Sequence, residues 1–197
     1  MIQRTLLAVL LAAAWSSAYA ECRAVDAARG QVVFELEQAG APFRGSFRRF
    51  GGEVCLAGER VTKIDVWLDP ASVDAGLPEI DAALKGGDFF AVDRYPRATY
   101  ASDSVAAKAG QQVAQGSLTM KGKSRPLDVP FRLQREGGDT VLSGMLTLNR
   151  LDYGIGTGDW SNTKWLGAEV KVTFSAPLAL AHQSSSHEGV SANRSTR

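Results

Sequence analysis

Apolar side chains recur at every second position along much of this chain. Leu127-Asp128-Val129-Pro130-Phe131-Arg132-Leu133-Gln134 alternates without a break, and so does Val170–Ser175. Ile64–Asp69 and Val32–Glu37 follow the same rhythm less cleanly. Successive side chains of an extended chain point to opposite faces, so these segments predict strands with one face buried. β-Branched and aromatic residues predict further strands at Phe43–Phe50, Glu53–Ala57, Ala98–Val105, Gln112–Met120 and Thr140–Asn149. Gly51-Gly52, Ala109-Gly110 and Gly137-Gly138-Asp139 fall between neighbouring segments at hairpin spacing. Pro130 has no N–H to donate, so its strand is expected to form an edge or a bulge there.

One stretch departs from this rhythm. Pro78 is followed by Glu79 and Asp81, then by Ile80 and Leu84 four apart, then by Gly86-Gly87. Proline and acids at the start and glycine at the end predict a short helix over Pro78–Lys85. No other helix separates the strands, which favours an antiparallel barrel or sandwich over βαβ units. The expected fold is therefore all-β and antiparallel, a barrel of about eight strands or a sandwich, with one short helix.

The two ends of the chain read differently from its body. Arg4, the apolar run Leu6–Trp15 and Ala18-Tyr19-Ala20 form an export leader over residues 1–20, with cleavage expected after Ala20. The apolar run is well short of the roughly 20 residues that span a bilayer. Glu21 before Cys22 argues against a lipoprotein. His182–Arg197 is serine-rich and poor in large apolar groups, so it is expected to be disordered. One domain over residues 21–181 is expected, exported to a periplasm.

Charge and rare residues exclude several functions. Lys and Arg total 22 against 21 acids, and loss of Arg4 makes the count even, so nothing favours nucleic acid. The two histidines, His182 and His187, both lie in the expected tail. With that tail disordered, a catalytic triad, a Cys–His pair or a histidine metal site has no imidazole in the domain. Cys22 and Cys55 are the sole cysteines and predict a disulfide in an oxidising compartment, the alternative being two free thiols. Their spacing does not suggest a redox motif.

On the expected inner faces, Phe34, Phe43, Phe47, Phe131 and Phe174 are large, whereas Gly45, Gly116, Gly144, Ala98 and Ala176 are small. This mixture fits a greasy cavity and a tapered packed core equally. If there is a cavity, its ligand is apolar. Gly154-Ile155-Gly156-Thr157-Gly158-Asp159 has no helix after it and reads as a loop between strands rather than a nucleotide site.

Five segments carry a resemblance. They are Gly45-Ser46-Phe47-Arg48-Arg49-Phe50-Gly51-Gly52, Asp69–Gly76, Asp88-Phe89-Phe90 with Tyr95-Pro96-Arg97-Ala98-Thr99-Tyr100, Gly116–Leu127 and Asn149–Trp160. In this order, over about Val32–Leu180, the chain resembles the YceI-like family of periplasmic lipid- or polyisoprenoid-binding proteins. The resemblance implies an extended, lipocalin-like barrel around a long isoprenoid, a polyprenyl chain or a quinone tail, with no other cofactor. It also implies transient contact with a membrane or a b561-type cytochrome, and a homodimer where a tail protrudes. Many members carry histidine in the helix and first hairpins; here those stretches have none.

The residues expected at the ligand are Phe34, Phe47, Phe50, Phe89, Phe90, Tyr95, Tyr100, Phe131, Arg150, Asp152 and Trp160. Arg150 and Asp152, two apart at a strand end, are expected to share a face, either as a head-group anchor or in shaping the turn before Gly154. A second reading is an enzyme acting on a lipid or quinone at the barrel mouth, with Asp88, Tyr95, Arg150 or Asp152 as acid, base or anchor. A third is an accessory that passes quinone to a membrane cytochrome.

Overall fold

The computed structural model describes residues 20–108 and 111–179. The expected leader, apart from Ala20, and the expected tail lie outside the described residues. Among the described residues, eleven strands form one antiparallel sheet: β1 (Glu21–Ala24), β2 (Gln31–Gln38), β3 (Ala41–Phe47), β4 (Phe50–Ala57), β5 (Arg60–Leu68), β6 (Val73–Asp74), β7 (Ala98–Lys108), β8 (Gln111–Met120), β9 (Lys123–Glu136), β10 (Asp139–Asn149) and β11 (Glu169–Leu178). Helix α1 spans Pro78–Lys85, as its proline, acids and glycine predict.

The sheet curls into a barrel because one strand serves both of its edges. β3 pairs with β2, and after a bend at Arg48-Arg49 the chain continues as β4, which pairs with β5. Counting β3–β4 as one bent strand, and setting aside the four-residue β1 and the two-residue β6, leaves eight barrel strands. β1 fills the space where β4 leaves β2. It pairs with β4 on one side, and on the other Ala179 N–H donates to Ala24 O and Val25 pairs with Leu178 of β11. Cys22 and Cys55 face each other across the β1–β4 ladder and are joined by a disulfide.

One expected hairpin does not form. Gly51 and Gly52 lie inside β4, opposite Trp67 and Val66 of β5. A Cβ on Gly51 would come within 3.0 Å of the Trp67 ring, so this glycine marks a close approach rather than a turn. By contrast, a turn forms between β9 and β10 where Gly137-Gly138-Asp139 predicts one; Gly137 and Gly138, at φ 56° and 94°, are its two residues, and Asp139 already pairs with Glu136.

The barrel wall has a slot between β9 and β10. These strands pair only over Phe131–Glu136 and Asp139–Gly144. Below Phe131, β9 keeps β8 as its neighbour, and beyond Gly144, β10 keeps β11. Pro126 and Pro130 both fall in the stretch of β9 that lacks a β10 partner. They are four apart, so their missing N–H groups share one side of the strand. The edge expected at Pro130 is this slot.

Candidate functional site

Two apolar clusters fill the barrel ends. Phe34, Phe89, Phe90, Tyr153 and Leu166 pack under α1, while Val54, Val61, Phe131, Leu142 and Leu178 fill the opposite end. Leu118 packs against both. Between them lies a cavity of about 220 Å³. Dry apolar cavities of about 150 Å³ already take up benzene, so this space admits a length of hydrocarbon. Its wall includes Val66, Leu118, Val129, Leu146 and Val172, and among the described residues no Asp, Glu, Lys, Arg or His borders it. The polar atom of Tyr100 turns into the wall, where its hydroxyl donates to Ala114 O at 2.9 Å. Burial, with the charges of Asp128 and Asp103, pushes that phenol up to about 12.

The sequence's mixture of large and small inward residues resolves into both uses. Some small residues receive rings: the Phe34 ring packs over Gly45 and the Phe174 ring over Gly144. Ala98 and Ala176 instead border the cavity.

The residues that border the cavity come from two sides of the barrel. At the β3–β4 bend, Gln31, Val32, Phe47 and Phe50 border both the cavity and an adjoining surface groove. At the β9–β10 slot, β9 contributes Leu127 and Val129 and β10 contributes Leu146 and Leu148 to the cavity wall. In the circuit of eight strands these two places lie on opposite sides, so the cavity crosses the waist of the barrel.

Of the residues expected at a ligand, Phe47, Phe50 and Tyr100 border the cavity. Phe34, Phe89 and Phe90 belong to the cluster under α1, and Phe131 is fully buried in the other. Phe90 meets Phe47 edge-on at 5.6 Å, and Phe89 lies 5.4 Å from Trp160. The Tyr95 ring packs over Gly122. The aliphatic wall of β8 to β11 was not singled out by sequence, although its members occupy the inward positions of predicted strands.

Arg150 and Asp152 do not share a face. Residues Arg150–Tyr153 form a 3₁₀ turn started by Asn149, whose side chain accepts from Leu151 N–H at 2.9 Å. With about three residues per turn, positions two apart diverge. Asp152 is exposed, whereas Arg150 is only 2% exposed. Arg150 Nε donates to Gly167 O, Nη1 to Ile155 O and Gly156 O, and Nη2 to Trp160 O and Leu166 O, all at 2.7–2.9 Å. A guanidinium has five N–H donors, and the loop's own carbonyls use them all, leaving none for a head group. Burial lowers the Arg150 pKa from its ordinary value.

Lys121 ties the same loop from the other side. Its Nζ donates to Gly87 O at 2.8 Å, Asp88 O at 3.2 Å and Gly154 O at 2.7 Å. Asp88 O also accepts from the Gly156 and Thr157 N–H groups. Segments near 88, 121 and 150–160 are thus joined into one cap, held largely by cations on backbone carbonyls. Burial lowers the Lys121 pKa, against the opposing pull of Asp88.

A family model described as the YceI-like domain matches residues 24–178. The chain belongs to the YceI-like family. Its relatives include UPF0312 proteins. That of Shewanella oneidensis is 29% identical over 140 residues, covering 66% of this chain and 73% of its own. That of Vibrio cholerae is 28% identical over 173 residues, covering 78% and 89%. Among solved structures, this YceI-like protein resembles Burkholderia cenocepacia BcnA, with a TM-score of 0.74, 29% identity, and coverage of 79% of this chain and 99% of that one. It also shares its fold with a structure described as a polyisoprenoid binding domain from Saccharophagus degradans, with a TM-score of 0.64, 16% identity, and coverage of 79% and 96%.

Proposed function

We propose that this YceI-like protein is an exported binding protein. It holds a long isoprenoid, a polyprenyl chain or the tail of a quinone, across the barrel waist for carriage or storage, and does no chemistry on it. The observation that carries this reading is the cavity across the barrel waist, bordered by aliphatic and aromatic side chains with no charged residue among the described residues that line it. A charged or strongly polar guest there would lose its hydration without gaining partners. A hydrocarbon chain gains about 25 cal/mol for each Å² of its surface removed from water. Among the described residues, those lining the cavity offer no carboxylate, amine or imidazole for proton transfer. The Saccharophagus degradans domain of the same fold, described as polyisoprenoid-binding, supports the ligand class. The Cys22–Cys55 disulfide suits an oxidising compartment such as a periplasm.

The test is organic extraction and mass spectrometry of protein purified from its own host, followed by uptake of polyprenol or ubiquinone from detergent. A co-purifying or readily incorporated isoprenoid is expected. Protein that carries none and takes up neither would sink the proposal.

A further inference from the structure

The Cys22–Cys55 disulfide lies at the barrel surface, on a strand that brings little else to the fold. Cys22 is exposed and Cys55 half-buried. None of the four β1 side chains is buried, and Arg23 alone is partly covered, reaching the Thr140 hydroxyl at 3.4 Å. A strand is normally kept in place by the apolar surface it buries. β1 is kept instead by its backbone bonds and by the disulfide.

This strand nevertheless closes the wall. Its end spans two neighbours: Val25 N–H donates to Gly52 O of β4 at 2.9 Å, and Ala24 O accepts from Ala179 N–H, just beyond β11, at 2.8 Å. Val25 also pairs with Leu178. With β1 gone, Glu53–Leu56 of β4 and the end of β11 have no strand between them. Val54, Leu56 and Leu178 beside it are buried in the cluster at that end, and Val25 borders the cavity. A firm hinge follows. The Asp26 carboxylate accepts from Ala28 N–H at 3.1 Å and from Arg29 Nε at 2.7 Å, and Arg29 also pairs with Asp139 of β10. The turn is thus tied to the β9–β10 hairpin, and β1 can swing from it without moving β2. No described element precedes β1.

We propose that the disulfide is a redox latch, and that its reduction by a dithiol partner frees β1 and opens the barrel wall between β4 and β11. Exposed disulfides are the labile and regulatory ones, whereas buried structural ones resist reduction. A thiolate of the partner attacks the exposed Cys22 sulfur, and Cys55 leaves as a thiolate and takes a proton. The partner's second thiol then displaces Cys22 from the mixed disulfide, and the Cys22 thiolate takes the other proton. Two electrons and two protons pass to this protein, and the partner is left as a disulfide. That the opening lets a bound chain out rests on the apolar-chain reading above.

Hydrogen exchange of the full chain, read by mass spectrometry before and after dithiothreitol, tests the latch without any ligand. The chain has no other cysteine, so the reagent has one target. Amides of Glu21–Val25 are expected to exchange at least about tenfold faster once reduced, a change of about 1.4 kcal/mol in local opening. α1 and the β9–β10 hairpin should keep their protection, and reoxidation should restore that of β1. Cys22→Ser with Cys55→Ser should exchange like the reduced protein and not respond to dithiothreitol. A bond that dithiothreitol leaves intact in the folded protein overturns the proposal, and so does unchanged exchange of β1 after reduction. Loss of protection throughout the chain overturns it too, since the bond would then staple the whole fold. Protein loaded with geranylgeraniol should lose it to detergent micelles at least about tenfold faster when reduced. An equal rate from protein whose β1 is free overturns β1 as a gate for the chain. Failure of the oxidised and the reduced protein alike to take up geranylgeraniol defeats the apolar-chain reading instead, and the exchange result then decides the latch by itself.

Discussion

The guanidinium of Arg150 occupies the space that a side chain at residue 156 would need. A Cβ on Gly156 would collide with Nη1 of Arg150, and Gly156 adopts φ 69°, where a non-glycine residue is strained. The glycine-rich loop is therefore shaped around a buried cation and not around a nucleotide.

Arg150→Ala is expected to cost at least about 3 kcal/mol, because each buried carbonyl left without a donor costs about 1–3 kcal/mol. Arg150→Lys should not restore the loss, since an ammonium has three donors and no planar fork. Urea denaturation decides this. A change within about 0.5 kcal/mol, the range of ordinary surface substitutions, would show that the loop is held by something else.

Cys22 and Cys55 join β1 to β4 across 33 residues of sequence. Removing the bond is expected to cost about 3 kcal/mol through the entropy of the unfolded chain. β1 is mostly exposed, and apart from the disulfide it is held by backbone bonds to β4 and β11 and by one hydrogen bond from Arg23 to the Thr140 hydroxyl of β10. Val25, next along the chain, borders the cavity. Cys22→Ser with Cys55→Ser should therefore lower the melting temperature and also raise the rate at which a bound prenyl alcohol leaves. An unchanged dissociation rate would mean that β1 does not retain the chain.

Tyr100 ionises late, at about 12, against about 10 for a free phenol. Its folded pKa is raised, so its contribution to stability is complete below about pH 10 and is lost as pH rises towards about 12. In that window the unfolded chain releases its proton first. Denaturant titrations between pH 9 and 12 should show a steeper loss for the wild type than for Tyr100→Phe. Parallel profiles would contradict the buried, wall-directed hydroxyl.

Much of the architecture is legible in local pattern. Pro78, Glu79, Asp81 and Gly86 mark α1 because their effects act within one or two helical turns. Leu127–Gln134 is readable because alternation survives wherever one face is buried. β1 was missed because Glu21–Ala24 has no apolar rhythm and pairs through its backbone. Gly51-Gly52 misled because close approach to Trp67 demands glycine as a hairpin does. The cavity was only half legible. Aromatic residues drew attention, but most of those rings pack onto one another or onto glycines, and aliphatic residues form much of the cavity wall. Pro130 signals an edge, but nothing local names β10 as the strand it parts from.

The most direct test is to fill the cavity from its wall. Val66→Phe and Leu146→Trp place rings where the chain would lie, at an expected overpacking cost of about 1–3 kcal/mol. In variants whose circular dichroism stays native, affinity for geranylgeraniol is expected to fall at least about tenfold. Folded variants that bind it as tightly as the wild type would contradict the account, because the chain would then be held somewhere other than the waist of the barrel.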